Sequence, residues 1–525
     1  MAIFVVGSGP AGVSAAYGLL RKGFAVTMLD VGFRLESERQ QIVDRLAAGM
    51  PETWDEKDLE DLRSFTKARV GSLPQKLVYG SDFPYRAPSN LVQFDQRGSD
   101  LLISHALGGL STTWGANVLP FLAQDIVDWP IGLAELDPYY RTVFGFVDLA
   151  AREDRLSQLF PLHTNRYQPL RLSRQAEALL ANLEQYRETL TRRGFEFGQS
   201  RLAVRTYPKG GDAGCVYCGL CLYGCPYGLI YCSAQALPEL QKFPNFKYLP
   251  GYYVDQVVES PSGATIHARR VADGQTQEFS AERVFLGCGT VSTTRIVLES
   301  LSAWGREILL RDSQYFLTPL LRFHATPDVT TERLHTLSQV CLPLRDPALS
   351  PRSIQLLLYT YNDLYRRALE TILPFRSVRN SLLSRALIVQ GYLHSEDSPA
   401  LAMHLARATG TGPTRVVLEG RPNPRTRPMI RKVLRRLRAI APCLGSVMMP
   451  FMTHVGAPGK SYHVGASLPM RERPGDFECD VLGRPSGLTR VHVIDASCFT
   501  SVPATNVTLT VMANAYRIAD QSVEL

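Results

Sequence analysis

The chain opens on a short apolar run, Ile3-Phe4-Val5-Val6, that leads straight into Gly7-Ser8-Gly9-Pro10-Ala11-Gly12. A helical stretch to Lys22, a stop at Gly23 and a second apolar run from Ala25 to Leu29 follow. Strand, glycine turn, helix and strand in this order form a βαβ unit. Such units need both faces of a parallel sheet covered, which commits the chain to an α/β core. In the turn, Gly7 permits the sharp reversal, Gly9 lets the backbone approach a pyrophosphate, and Gly12 allows the helix to pack closely. Pro10 and Ala11 begin the helix, whose N-terminus attracts phosphate, and Asp30 at the tip of the second strand can accept hydrogen bonds from a ribose. The unit predicts a dinucleotide site on Gly7, Gly9, Pro10, Ala11, Gly12 and Asp30, without distinguishing FAD from NAD.

A second constraint is chemical. Cys215, Cys218, Cys221 and Cys225 stand in the spacing CxxCxxCxxxC, followed by Pro226. This is the run with which a bacterial ferredoxin wraps an iron-sulfur cluster. Paired CxxC motifs also hold structural zinc, but usually with a second pair some distance away. The third cysteine at the same gap and the Cys-Pro pair favour iron and sulfur. In two-cluster ferredoxins the fourth cysteine serves the other cluster, and no second run is present here. The cluster is therefore either [4Fe-4S], completed by Cys225 or Cys232, or [3Fe-4S] on three cysteines. The expected metal set is Cys215, Cys218, Cys221 and Cys225.

Length and composition set outer bounds. A chain of 525 residues, 45% hydrophobic and 20% charged, is that of an ordinary globular protein with more than one core. The net charge of +8 is modest at this length and argues only weakly for an anionic partner or a membrane surface; nucleic acid is not expected. Residues 2 to 20 lack the basic start of a signal peptide and spend their glycines on a turn. No stretch reaches the roughly 18 apolar residues of a membrane-spanning helix. Ten cysteines without a secretory signal point to a reducing compartment, hence to the cytoplasm, with peripheral membrane contact left open. The densest basic block, Arg421 to Arg438, has apolar Ile430, Val433, Leu434, Leu437 and Ala441 at helical spacing. It reads as an amphipathic helix begun by Pro428, with a solvated basic face.

Between these landmarks the chain is less explicit. Residues 34 to 95 are polar and proline-punctuated, with a helical patch from Leu35 to Ala47, and carry no recognisable chemistry. Ser104 to Pro120 is rich in Gly, Ser and Thr, and the glycines Gly108 and Gly109 permit close approach of backbone to a planar ring or phosphate. Lys247 to Val258 reads as a strand pair. Arg283 to Gly287 repeats the buried-strand signature before Gly289 and a helix to Leu298, and Val491 to Asp495 is a further strand ahead of a helix from Leu509 to Asp520. Met448, Met449, Phe451 and Met452 form a patch that suits an apolar pocket or plain core filling. No internal repeat is evident.

Three parts together, the opening fingerprint, the loop GGLSTTWGAN and the tail VHVIDASCFTSVPATNVTLTVMANAYRIAD, resemble the glucose-methanol-choline (GMC) family of flavin oxidoreductases. The resemblance covers both ends and the middle strands, and hardly touches residues 301 to 410. It implies FAD as the dinucleotide. It also implies a two-part α/β fold, an FAD-binding Rossmann-like domain with a discontinuous second substrate-binding α+β domain. The FAD-binding part is expected over 1–145 and 200–300, with a cysteine-rich insert at 211–236. The substrate-binding part is expected over 301–450 with part of 146–199, and residues 451–525 return to the FAD domain carrying the catalytic groups.

The resemblance also implies roles. His463, in Tyr462-His463-Val464-Gly465-Ala466-Ser467, occupies the slot of the family's catalytic histidine, and Asn506 that of its partner. The phrase departs from the family's HxxGTxxMG: His463 stands one residue closer to its glycine, Ala466 replaces threonine, and Met470 is not followed by glycine. His454 is the competing histidine. An imidazole with an ordinary pKa near ~6.5 can take the proton of an alcohol whose hydride leaves, and an amide beside it can steady the developing alkoxide. Ser111, Thr112 and Asn117 are expected on the isoalloxazine side. Val254, Gly289, Asp495, Asn506 and Thr508 complete the expected cofactor contacts. The expected enzyme is an FAD-dependent dehydrogenase acting on a primary or secondary alcohol, a sugar hydroxyl first. Its electrons would leave through the iron-sulfur cluster to an external acceptor protein. The alternatives are a reductase running electrons from cluster to flavin, and a noncatalytic flavin or zinc scaffold subunit.

Overall fold

The structure is a computed structural model that describes residues 2–64, 76–208, 214–370, 373–407 and 413–523. Residues 211–213 of the expected cysteine insert, 65–75 of the polar segment, and 371–372 and 408–412 of the 301–450 region lie outside the described residues.

The opening βαβ unit forms as its residue pattern requires. Ile3–Val6 is buried at every position, Pro10–Arg21 is helical, and Val26–Asp30 pairs parallel to the first strand with Ile3 opposite Val26. These strands lie inside a five-stranded parallel sheet in the order Val491–Val493, Arg283–Leu286, Ile3–Val6, Val26–Asp30, Phe246–Pro250. Segments from the start, middle and end of the chain thus share one sheet. The helices Pro10–Arg21 and Thr508–Ser522 pack against each other, both buried along most of their length, as elements covering a parallel sheet must be. The Lys247–Val258 pair divides: Phe246–Pro250 ends the parallel sheet, and Tyr252–Ser260 starts a separate three-stranded antiparallel sheet.

Residues 301–450 build mainly antiparallel structure. Tyr315–Arg322, Ala386–Tyr392 and Gln355–Tyr359 are the centre of a seven-stranded sheet that also takes Gly198–Gln199 at one edge and His454–Val455 alongside Tyr315–Arg322. A further five-stranded sheet runs Val464–Gly465, Ile308–Asp312, Ala400–Ala406, Thr414–Arg421, Val92–Arg97. It draws strands from sequence regions that a linear reading assigns to different parts.

The basic helix runs from Thr426 to Ile440 and so begins two residues before Pro428. Its buried face of Met429, Ile430, Val433, Leu437 and Ile440 packs with Ala176, Leu179 and Leu183 of the helix Arg174–Gln185. Arg436 pairs with Asp346, and Arg431, Lys432, Arg435 and Arg438 face solvent. The methionine-rich patch divides between core and surface. Met448 is buried in the core, whereas Phe451 is 78% exposed and Met452 56%, because Pro450–Met452 is a one-turn helix at the sheet surface. Among the described residues no helix is long and apolar enough to cross a membrane.

Candidate active site

Two helix N-termini face one cavity. The first belongs to Pro10–Arg21, whose cap residue Gly9 supplies no side-chain acceptor and whose first turn holds no acid, so its leading N–H groups remain open to an anion. The second belongs to Thr508–Ser522, also without a side-chain cap or an acid in its first turn. The lining between them includes Gly7, Gly9, Pro10, Ala11, Asp30, Gly109, Val254, Gly289, Asp495 and Thr508, all expected cofactor residues.

The turn geometry accounts for the first glycines. Gly7 has φ +97°, a region that side chains disfavour, and a Cβ there would sit 2.6 Å from the Gly287 carbonyl oxygen. Gly12 lies behind the cavity. A Cβ on it would stand 1.9 Å from the Gly7 carbonyl oxygen, so glycine is required for the helix to approach the strand. Asp30 is buried and burial pushes its carboxyl up to about 6, although Ser8 and Tyr248 donate to it. The Ser8 hydroxyl also accepts the Gly108 N–H at 3.0 Å, tying the fingerprint turn to the second glycine loop.

Gly108, Ser111, Thr112, Asn117 and Asn506 are not part of that lining, and the first four make hydrogen bonds within the chain. The Ser111 hydroxyl donates to the Gly108 carbonyl at 2.6 Å and lies 2.8 Å from the Ser233 hydroxyl. Thr112 donates to the Gly109 carbonyl at 2.9 Å. Asn117 is buried and accepts from the Ser338 hydroxyl at 3.0 Å. Asp495, at the cavity wall, accepts from the Gly289 N–H at 2.8 Å and from Thr293 and Ser497, which clamps the Gly289 turn to the last strand. Burial raises its pKa above the usual carboxylate range.

His463 and Asn506 meet beside this cavity: their neighbours Tyr462, Val464 and Val507 line it, and His463 Nε2 stands 3.4 Å from the Asn506 amide nitrogen. His463 Nδ1 and Asn506 Oδ1 are both buried without a hydrogen-bond partner. A buried polar atom left unpaired costs about 1–3 kcal/mol, so two on adjacent side chains mark a place built for a polar group from outside. Burial also pushes the His463 imidazole down to about 4, which leaves it neutral and able to accept a proton at neutral pH. Asp312 accepts from the Gly459 N–H at 2.8 Å and the Ser461 hydroxyl at 2.6 Å, and that hydroxyl oxygen accepts the His463 N–H at 2.9 Å. On its other side the imidazole stacks on Tyr392 at 4.8 Å between centroids. His454 sits opposite Leu317 on the seven-stranded sheet.

Residues that sequence reasoning passed over complete the picture. Arg295 lines the cavity from a fully buried position, held by Glu299 at 2.9 Å and stacked 4.5 Å over the Tyr253 ring. Leu101 to Ala106, just ahead of the glycine loop, line it as well. An apolar run flanking a glycine loop was the available signal for the latter; for Arg295 there was none, since an arginine in a helix of mixed hydroxyl and aliphatic residues gives no hint of what it faces.

The four cysteines Cys215, Cys218, Cys221 and Cys225 line a second, small cavity with Leu170, Val204, Leu337 and His335. Among the described residues no group of three or more His, Cys, Asp or Glu is placed to hold a metal ion, so side-chain convergence gives the expected metal centre no support. The sulfurs do receive backbone donors: the Leu229 N–H reaches Cys225 Sγ at 3.4 Å and the Thr336 N–H reaches Cys221 Sγ at 3.5 Å. Burial and the neighbouring thiols push Cys215 up to about 12 and raise Cys218 and Cys225 too. Cys232 lies elsewhere, with Sγ 3.6 Å from the Ser111 hydroxyl.

Residues 402–515 match the family profile described as GMC oxidoreductase. Over 98% of its length the chain is 24% identical to paromamine 6'-oxidase of Streptomyces fradiae, covering 90% of that protein. A 6'''-hydroxyparomomycin C oxidase of Streptomyces lividus is similar to the same degree, 24% identical over 98% of this chain and 90% of that protein. Among solved structures, pyridoxine 4-oxidase from Mesorbium loti superposes with a TM-score of 0.61 at 15% identity, covering 100% of this chain and 99% of that one. A formate oxidase variant from Aspergillus oryzae gives a TM-score of 0.61 at 13% identity, covering 99% and 98%.

Proposed function

We propose that the chain, whose residues 402–515 match the GMC oxidoreductase family, is a flavin oxidoreductase of that family that oxidises a primary or secondary alcohol, a sugar hydroxyl first. The observation that carries the proposal is the pair of unpartnered buried atoms, His463 Nδ1 and Asn506 Oδ1, on side chains whose neighbours Tyr462, Val464 and Val507 line the dinucleotide cavity. Relatives named for paromamine and a hydroxyparomomycin support a sugar-like substrate.

The cavity suits FAD on its own chemistry: two uncapped helix N-termini for a pyrophosphate and polar groups, a glycine turn with no room for a side chain, and Asp30 for a ribose. FAD, when bound, supplies the hydride acceptor. The chain's own residues handle the proton and the geometry. His463, neutral by burial, takes the hydroxyl proton, and the Asn506 amide orients the substrate oxygen. The Asp312–Ser461 pair holds the His463 backbone, and Tyr392 fixes the ring plane.

An iron-sulfur cluster on Cys215, Cys218, Cys221 and Cys225 would supply a one-electron exit to an external acceptor protein. Its support is the CxxCxxCxxxC spacing and the shared cavity with N–H groups on the sulfurs. The relatives' names favour a second reading, an oxidase delivering electrons to dioxygen. Anaerobic titration of the flavoprotein with sugar alcohols tests the main proposal: bleaching of the flavin band is expected, and a spectrum unmoved by every alcohol would favour the reductase direction. Stoichiometric peroxide in air, with no need for an artificial acceptor, would select the oxidase.

The pH profile is a separate expectation. A proton on His463 blocks its role as acceptor, and its pKa is lowered to about 4. Turnover should therefore hold from neutral pH downward and fall only as pH drops through about 4. An inflection near the ordinary ~6.5 would show that the imidazole is not desolvated during turnover.

A further inference from the structure

The cysteine cavity contains a buried imidazole that the proposed chemistry leaves unused. His335 is 2% exposed, lines the cavity with the four cysteines, and has no hydrogen-bond partner on either ring nitrogen. Its position is enforced from both sides. Leu334 forms a bridge with Cys218, the Thr336 N–H reaches Cys221 Sγ at 3.5 Å, and the Thr336 hydroxyl donates to the Gly219 carbonyl at 3.4 Å. The His335 carbonyl accepts from Gln339 at 2.8 Å. A segment from a distant part of the chain thus clasps the cysteine loop and brings an imidazole into its cavity.

An unpaired buried imidazole is a net cost to the fold, with about 1–3 kcal/mol at stake for each unmet polar atom. An apolar residue of similar size would fill the same space without that cost. Besides the thiols the surrounding wall is aliphatic except for Tyr227, whose hydroxyl is taken up by the Gly49 carbonyl at 2.7 Å. A neutral imidazole carries one N–H donor and one acceptor, and the natural recipient of its N–H is an electron-rich sulfur within the cavity. Hydrogen bonds to cluster sulfurs stabilise the reduced, more negative state and raise the reduction potential.

We propose that His335 is the fifth member of the cysteine site, donating its ring N–H to a sulfur of an iron-sulfur cluster held by Cys215, Cys218, Cys221 and Cys225, with Cys232 outside it. The inference rests on the cluster reading above and is independent of the alcohol chemistry. His335 acts through the cluster as a positioning and tuning residue. Cys232 is excluded because its thiol is spent beside Ser111 and is not part of the cavity wall.

The test uses full-length protein purified without oxygen, assayed for iron, acid-labile sulfide and flavin, and titrated with dithionite under electron paramagnetic resonance. Wild type and Cys232→Ser are expected to hold equal iron, and Cys218→Ser to lose it. His335→Ala should keep its iron and flavin but show a potential shifted to more negative values and an altered resonance. His335→Gln, which keeps an N–H, should recover part of the shift. An unchanged potential and resonance in His335→Ala would overturn the donor role, as would loss of iron equal to that of Cys218→Ser. Loss of iron in Cys232→Ser would overturn the assignment of the fourth cysteine. Iron-free wild type that still binds flavin and oxidises alcohol would sink the cluster and leave the flavin reading standing. Iron-containing wild type that binds no flavin would do the reverse.

Discussion

Replacing His463 by glutamine is expected to lower kcat by roughly 10²- to 10⁴-fold, the range for removing a positioned general base, or about 3–5 kcal/mol of transition-state stabilisation. Flavin content should be unchanged, because the His463 side chain lies beside the cofactor cavity and only its neighbours Tyr462 and Val464 line it. Folding should not suffer either. His463 Nδ1 makes no hydrogen bond, so the native state gains nothing from that atom, and a variant at least as heat-stable as the wild type is expected. Stopped-flow measurement of flavin reduction, with thermal unfolding in parallel, separates the two effects. A variant that reduces its flavin at the wild-type rate would remove His463 from the chemistry and leave His454 to be tested.

Gly12→Ala has the second large effect, and it acts on cofactor retention. Alanine would favour the helix by up to ~1 kcal/mol, but its Cβ would lie 1.9 Å from the Gly7 carbonyl oxygen and 3.4 Å from Val5 Cγ1. The closer atom is backbone and cannot rotate away. Overpacking of this kind costs about 1–3 kcal/mol, and opening the turn also displaces the N–H groups that face the cavity. At 1.4 kcal/mol per decade, flavin affinity should fall roughly tenfold or more. Equilibrium dialysis against free FAD checks this, with circular dichroism to show that the rest of the fold persists. Retention of wild-type affinity would mean that the turn relaxes without moving those donors.

Local elements were legible because local rules govern them. The run Ile3–Val6, the glycine turn and the buried strand Arg283–Leu286 carry their own period and punctuation. The basic helix was read two residues short at its start, since Pro428 is tolerated within the first turn as well as at its head. The methionine-rich patch, read as an apolar pocket or as core filling, is core at Met448 alone among Met448, Phe451 and Met452, because burial depends on what packs above a segment, and Phe451 is 78% exposed. Ser111 and Asn117 carry hydroxyl and amide groups suited to a cofactor, but competing partners within the chain, Ser233 and Ser338, take them up.

The amino-acid order alone determined the βαβ core and the spacing of four cysteines, because each is a pattern over a few adjacent residues, and the candidacy of His463 came from the family resemblance of the sequence around it. Only the tertiary structure decided which distant groups share a cavity. It set His463 beside Asn506, carried His335 to the cysteine loop and placed Arg295 against the dinucleotide cavity, while leaving Cys232 apart. Such pairings arise from strands far apart in the chain meeting in common sheets, and from the burial that results. Desolvation then determines which of these side chains stay neutral and which lack a partner, and no residue carries that information by itself.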